Sequence, residues 1–259
     1  MIFNTKIMKT IPYLIFLAAL IVLTGFSITE TIDKPEKDKD PLTDTLYTNK
    51  DGLGIDVIVS LTEGKNYNHP LIAVWVETLD EEYLQTLYVS NSIAKGVYEH
   101  GDASQGKWLP GEKRRPAALP YWSHQRNVKE SDGLYIPTSK TPMPDAYSGA
   151  TPLNDFMLIT KTDKKPVGKF RLMFEINQPF DFNEFWHNTL YPDDENYKTS
   201  GQPSIIYSVT IDTEKPEKIY FLNPIGHGHF SGSTGDLFTD LSTLSTALEI
   251  VEKIQVHLK

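Results

Sequence analysis

Apolar and polar residues alternate along most of this chain with a period of two, the spacing of a half-buried β-strand. Over residues 168–177, Phe170, Leu172, Phe174 and Ile176 fall on one face, opposed by Arg171, Glu175 and Asn177. Over 204–212, Ile205, Tyr207, Val209 and Ile211 alternate with Ser208, Thr210 and Asp212, and over 249–258, Ile250, Ile254, Val256 and Leu258 oppose Lys253, Gln255 and His257. Five further strands are predicted at 54–61, 71–79, 84–90, 155–162 and 217–223, with Asp80-Glu81-Glu82 as a hairpin loop. No stretch shows a convincing amphipathic helical period. Eight short strands divided by Gly, Pro, Asn and Asp turns predict an all-β fold, an antiparallel β-sandwich of immunoglobulin or fibronectin type III character; a small barrel of the OB type is the alternative.

Two stretches break the alternation. Residues 91–152 form a long aromatic-rich segment holding Trp108, Tyr121, Trp122, Tyr135 and Tyr147. Residues 178–202 interleave Phe180, Phe182, Phe185, Trp186, Tyr191 and Tyr197 with Asp181, Glu184 and Asp193-Asp194-Glu195. Loops of that length are usually functional or disordered, and their aromatic content argues for order: either a lined cleft or a cover over sheet edges.

The N-terminus carries Lys6 and Lys9 ahead of an uncharged apolar run from Ile11 to Ile28, the arrangement of an export signal or an N-terminal membrane anchor. With the positive charge before the run, the body of the chain is expected outside the cytoplasm, periplasmic or cell-surface. Residues 1–28 are thus assigned to signal or anchor. Residues 29–45, rich in Thr, Asp, Lys, Glu and Pro, are assigned to a disordered linker, and 46–259 to a single β-sandwich domain. A formal net charge of −9 over 259 residues, with Lys113-Arg114-Arg115 as the only compact basic cluster, argues against a nucleic-acid partner. The chain has no cysteine, which excludes disulfides, thiol chemistry and a lipid-modified N-terminal Cys.

Candidate chemistry concentrates in three places. His227-Gly228-His229 sets two imidazoles at i and i+2, which on a strand point to one side as metal ligands must; both are weak metal candidates, with His124 and His187 as third ligands by residue type alone. Tyr121-Trp122-Ser123-His124 places a Ser beside a His whose side chains diverge on an extended segment, so it is no nucleophile–base couple by itself. The third place is Asp145-Ala-Tyr-Ser-Gly-Ala-Thr151, with Pro142, Pro144 and Pro152 around it, which predicts an extended, accessible peptide.

That last segment resembles the Asp-x-x-Ser-Gly-Ala-Thr sequence onto which FAD:protein FMN transferases attach FMN through the Thr hydroxyl. The resemblance implies covalent FMN on Thr151, with Asp145, Ser148, Gly149 and Ala150 forming the recognised peptide, and the flavin ring packed among Tyr121, Trp122, Tyr147 and Trp186. Together with the Trp122-Ser-His124 segment, Asp-Gly-Leu-Tyr-Ile-Pro137, Phe174-Glu-Ile-Asn177, Phe-Asp-Phe-Asn-Glu184 and the His227/His229 loop, it is similar to the periplasmic proteins grouped as domain of unknown function 2271. Such proteins accompany FAD:protein FMN transferases and membrane redox proteins, which implies extracytoplasmic electron transfer by a redox carrier rather than an enzyme. The rival reading from the residues is a ligand- or partner-binding module without a cofactor, its aromatic cleft holding a peptide, a glycan or a partner subunit.

Overall fold

A computed structural model describes residues 43–259. The expected signal or anchor and nearly all of the expected linker lie outside the described residues. The chain order is β1 (Asp44–Tyr47), β2 (Asp56–Glu63), β3 (Leu71–Glu77), β4 (Tyr83–Ser90), α1 (Asn91–Lys95), β5 (Val97–Asp102), β6 (Leu109–Glu112) and α2 (Pro120–Gln125). There follow β7 (Ser148–Gly149), β8 (Phe156–Lys161), β9 (Lys169–Asn177), α3 (Glu195–Ser200), β10 (Ile205–Asp212), β11 (Tyr220–Phe221), β12 (Asn223–His227) and β13 (Val251–Leu258). Single 3-10 turns stand at Asp145–Tyr147 and Ala247–Glu249. β1 begins at Asp44, two residues inside the expected linker.

Two open sheets share one core. The first has the order β1-β8-β2-β13-β11 and the second β12-β10-β9-β3-β4-β7, with β5 and β6 as a separate hairpin. Val57, Val59 and Leu61 of β2 and Ile254 and Val256 of β13 meet Ile72, Val74 and Val76 of β3 and Phe170, Leu172, Phe174 and Ile176 of β9, all nearly or fully buried. The alternation therefore located this inner face correctly. The hairpin joining β3 to β4 also lies at Asp80-Glu81-Glu82, where Glu81 takes a positive φ of 66°.

The all-β immunoglobulin or fibronectin type III sandwich is not what forms, and neither is a closed barrel. The fold is mixed α/β: the described residues form three short α-helices and two sheets that stay open, and among them two strand pairs are parallel, β1 with β8 and β4 with β7. The physical reason lies in residues 91–152. They carry α1, the β5–β6 hairpin, α2 and β7, and their apolar side chains pack onto the outer face of the second sheet. Ile93, Ala94, Leu119, Tyr121 and Trp122 close over Leu71, Ala73, Trp75, Met173 and Ile206. The second sheet is thus buried on both faces, and all seven residues of β3 are inaccessible. Strands covered on both sides read as continuous apolar runs, as Leu71-Ile-Ala-Val-Trp-Val76 does. β9 was expected to be half-solvated, yet Glu175 and Asn177 on its outer face are buried.

Candidate functional site

The loops between β9 and β10 and after β12 converge at one end of the second sheet. Asn183 fastens them. Its side-chain oxygen accepts from the backbone N–H of Phe185 (2.9 Å) and Trp186 (2.7 Å), and its amide donates to the Thr243 carbonyl (2.8 Å) and to Ser245 Oγ (2.9 Å). Trp186 Nε1 donates to Thr243 Oγ1 at 3.0 Å. Asp194 caps α3 by accepting from the N–H groups of Asn196 and Tyr197, the residue type and geometry that satisfy a helix N-terminus. The Asp193-Asp194-Glu195 triplet is therefore a helix start, with Glu195 paired to Lys198 one turn on.

These loops gather an array of rings. Tyr191 stacks on Phe230 at 4.0 Å and 9°, Phe230 on His229 at 4.5 Å, and His227 on Phe238 at 5.2 Å. Trp186 stands 6.3 Å from His227 and 6.5 Å from Phe230, while buried Tyr197 meets Tyr191 edge-on at 5.0 Å. Phe185, Leu190 and Phe238 remain substantially exposed. Beside the array lies an open depression of about 590 Å³ lined by Leu190, Tyr191, Pro192, Asp193, Glu195 and Asn196.

Both imidazoles of the array are held neutral, because burial lowers the pKa of His227 and of His229 below the ordinary 6.5. Their partners fix the tautomers. His227 Nδ1 faces the Gly228 carbonyl at 2.8 Å and must donate, which leaves Nε2 as an acceptor. His229 Nδ1 accepts from the Ser231 N–H at 3.2 Å, so its proton sits on Nε2. Among the described residues no group of three or more His, Cys, Asp or Glu is placed to hold a metal ion. His124 packs at a tilt against Tyr135 and turns Nδ1 to the Pro120 carbonyl, and His187 hydrogen-bonds Thr189 on the surface.

The segment expected to carry flavin lies elsewhere. Asp145 opens a 3-10 turn where extended backbone was expected; its side chain is exposed and ion-paired with Lys95 at 3.0 Å. Ser148 and Gly149 form β7 on the edge of β4, and Ala150 is exposed with Thr151 half-buried behind it. Gly149 is closely packed, since a Cβ there would sit 3.0 Å from the Tyr88 ring, whose hydroxyl donates to the Ala150 carbonyl at 2.7 Å. The Tyr147 hydroxyl donates to the Asp163 carboxylate. Trp122 is fully buried in the outer layer, with Nε1 donating to Thr86 Oγ1 at 2.9 Å, and Tyr121 packs on Trp75. Trp186 belongs to the ring array at the margin of the inner core. Tyr147 packs against the outer-layer cluster that holds Tyr121 and Trp122, both buried there, whereas Trp186 lies apart in the ring array.

Sequence reasoning missed three charged side chains. Glu175 is fully buried and accepts hydrogen bonds from Ser204 Oγ (2.6 Å), Trp122 N (2.7 Å) and Tyr121 N (3.2 Å), and burial raises its pKa to about 7. Glu77, also fully buried, pairs with Arg171 at 2.6 Å and accepts from Trp75 Nε1; burial raises its pKa as well. Arg115 lies under the rings of Tyr98 and Phe180. A sequence cue existed for the two glutamates: the apolar run of β3 announces a sheet covered on both faces, so Glu77 at the end of that strand and Glu175 on neighbouring β9 had to be covered too.

Compared with known proteins, the chain matches no family profile, no characterised protein and no solved structure.

Proposed function

We propose that this chain is a ligand-binding module that works without a cofactor of its own, and that its ligand is a carbohydrate seated on the ring array. The observation that carries this reading is the part-exposed Tyr191–Phe230–His229 stack with Phe238 beside it, whose end ring, Tyr191, also lines a depression bordered by Asp193 and Glu195. Aromatic faces take up the C–H faces of sugar rings, and a few polar groups around an apolar floor fix orientation. With Nδ1 of each imidazole already engaged, His227 keeps its Nε2 acceptor and His229 its Nε2 donor for a ligand, and the carboxylates accept from sugar hydroxyls. The test is a titration of the chain with a panel of neutral and acidic oligosaccharides, followed through Trp186 fluorescence. The expected result is saturable binding that falls at least tenfold in Tyr191→Ala and in Phe238→Ala. If no oligosaccharide binds while a peptide or protein does so through the same two residues, the carbohydrate assignment is wrong. If nothing binds through these residues, the module reading is wrong.

A second reading places FMN on Thr151, with an extracytoplasmic location, a FAD:protein FMN transferase and a membrane redox protein as its setting. What supports it is the position of the segment on the edge of β4, ending in exposed Ala150, where a modifying enzyme could reach the peptide. The burial of Tyr121 and Trp122 within the outer layer and the separate place of Trp186 weigh against it. Co-expression with such a transferase decides the matter: this reading expects a mass gain of one FMN that disappears in Thr151→Ala, and an unchanged mass removes it.

A further inference from the structure

We infer that Arg115, with the rings of Tyr98 and Phe180, is a receptor for a carboxylate group of a ligand, a site separate from the ring array and independent of what binds there. The guanidinium carbon lies 5.0 Å from the Tyr98 ring centroid and 5.2 Å from that of Phe180. Guanidinium N–H groups point outward in one plane, so rings over its faces leave the edges for hydrogen bonding. Nη1 donates to the Thr199 carbonyl at 2.9 Å. Nη2 and Nε donate to no protein group among the described residues, and Nε is buried.

This cation also lacks the carboxylate partners that the others have. Of the four arginines, Arg114 pairs with Asp132 and with the Ile136 carbonyl, Arg171 pairs with Glu77 and Glu81, and Arg126 has Glu130 acting on it. Among the described residues no carboxylate pairs with Arg115; burial weakens its hold on its proton, and the Tyr98 phenol acts in the opposite sense. In a chain of formal net charge −9, a partly buried guanidinium without a carboxylate partner among the described residues is an arrangement that an incoming anion would complete.

The backbone holds the clamp ready. Phe180 is more than half exposed and sits at φ 62°, a left-handed conformation that a bulky aromatic residue rarely adopts. It is kept there because its N–H donates at 3.3 Å to the same Thr199 carbonyl that accepts from Arg115, and because Asp181 bridges Gly201 next along the chain. Strain of this kind persists where surrounding structure over-determines it and gathers at ligand clamps. The edge formed by Nε and Nη2 presents two parallel N–H groups, which match the two oxygens of a carboxylate; a tetrahedral phosphate would leave further oxygens without donors. Because Nε is covered, a ligand must displace what lies over that edge, while the two rings stay on the guanidinium faces.

The test is nuclear magnetic resonance of the full-length isotope-labelled chain, following the Arg115 Nε–Hε pair and the Phe180 and Tyr98 ring protons. Sodium acetate is titrated against sodium chloride and inorganic phosphate at matched ionic strength. The expected result is a saturable shift of all three groups with acetate, at least threefold tighter than with phosphate and absent with chloride. Arg115→Gln should abolish it, and Arg115→Lys should weaken it at least tenfold, since an ammonium keeps the charge but not the fork. Should the Arg115 variants not fold, Phe180→Leu, at an exposed position, should keep the fold and weaken acetate binding at least threefold. The same shift with chloride, a preference for phosphate, or a response that persists in Arg115→Gln or is unchanged in Phe180→Leu would overturn the assignment.

Discussion

Glu175 accepts three hydrogen bonds, each of which favours its ionised form, yet burial outweighs them and its pKa stands at about 7. Room for the carboxyl group depends on one neighbour with no side chain. A Cβ on Gly228 would lie 2.5 Å from Pro120 Cγ, 2.6 Å from Ser204 Oγ and 3.3 Å from Glu175 Oε1. Gly228→Ala should therefore destabilise the fold by about 1–3 kcal/mol, the usual cost of overpacking, through displacement of the Ser204–Glu175 bond. Urea unfolding checks this, and an unchanged midpoint would show that Pro120 and Ser204 give way freely. In the sequence Gly228 reads only as the spacer between two histidines; its packing role is invisible because its neighbours come from residues 120, 175 and 204.

At the scale of elements, α2 depends on its surroundings for its existence. Six residues lie far below the length at which a helix is stable alone, and its N-cap position, Leu119, offers no capping side chain. Pro120 presets the first turn, and Glu175, reaching across from β9, takes the N–H groups of Tyr121 and Trp122 that a local cap would otherwise take. Trp122, fully buried, is the anchor, so Trp122→Ala should cost about 3–5 kcal/mol and loosen the outer layer while the shared core of the two sheets stays formed. Hydrogen exchange would show this as lost protection at α1 and α2 with β2 and β13 retained; uniform loss across all strands would mean that the layers do not unfold separately. The same shortness explains what the sequence concealed. Seven of the eight predicted strands, β2, β3, β4, β8, β9, β10 and β13, were legible because period two shows within a few residues, whereas the eighth, at 217–223, holds only the two-residue β11 and the start of β12. Helices of five or six residues complete fewer than two turns and leave no measurable period, and β5, β6 and β7 are too short or irregular to alternate. The Arg115 clamp, assembled from residues 98, 115, 180 and 199, leaves no local pattern at all.

For the molecule as a whole, the buried acids and the buried imidazoles pull stability in opposite directions with pH. Glu175 binds its proton more tightly folded, with a pKa of about 7, than unfolded, near 4.5, so the unfolded chain carries fewer protons and stability falls as pH rises through that window. Glu77, also raised by burial, acts in the same sense. His227 and His229 are lowered from 6.5, so they contribute stability above 6.5 that is lost as the pH falls below it. Magnitude decides between them. The Glu175 shift corresponds to about 3 kcal/mol between the ends of its window, while the imidazoles sit in partly solvated loops whose opening need not unfold the sheets. The wild-type chain should therefore be less stable to urea at about pH 8 than at about pH 5. Glu175→Gln lowers stability at every pH, because its amide nitrogen cannot accept from a backbone N–H, so the slope and not the level is the readout. In that variant the difference between the two pH values should shrink to less than half. An undiminished slope would place the proton uptake on Glu77 or elsewhere, and would mean that Glu175 is ionised beneath its helical lid.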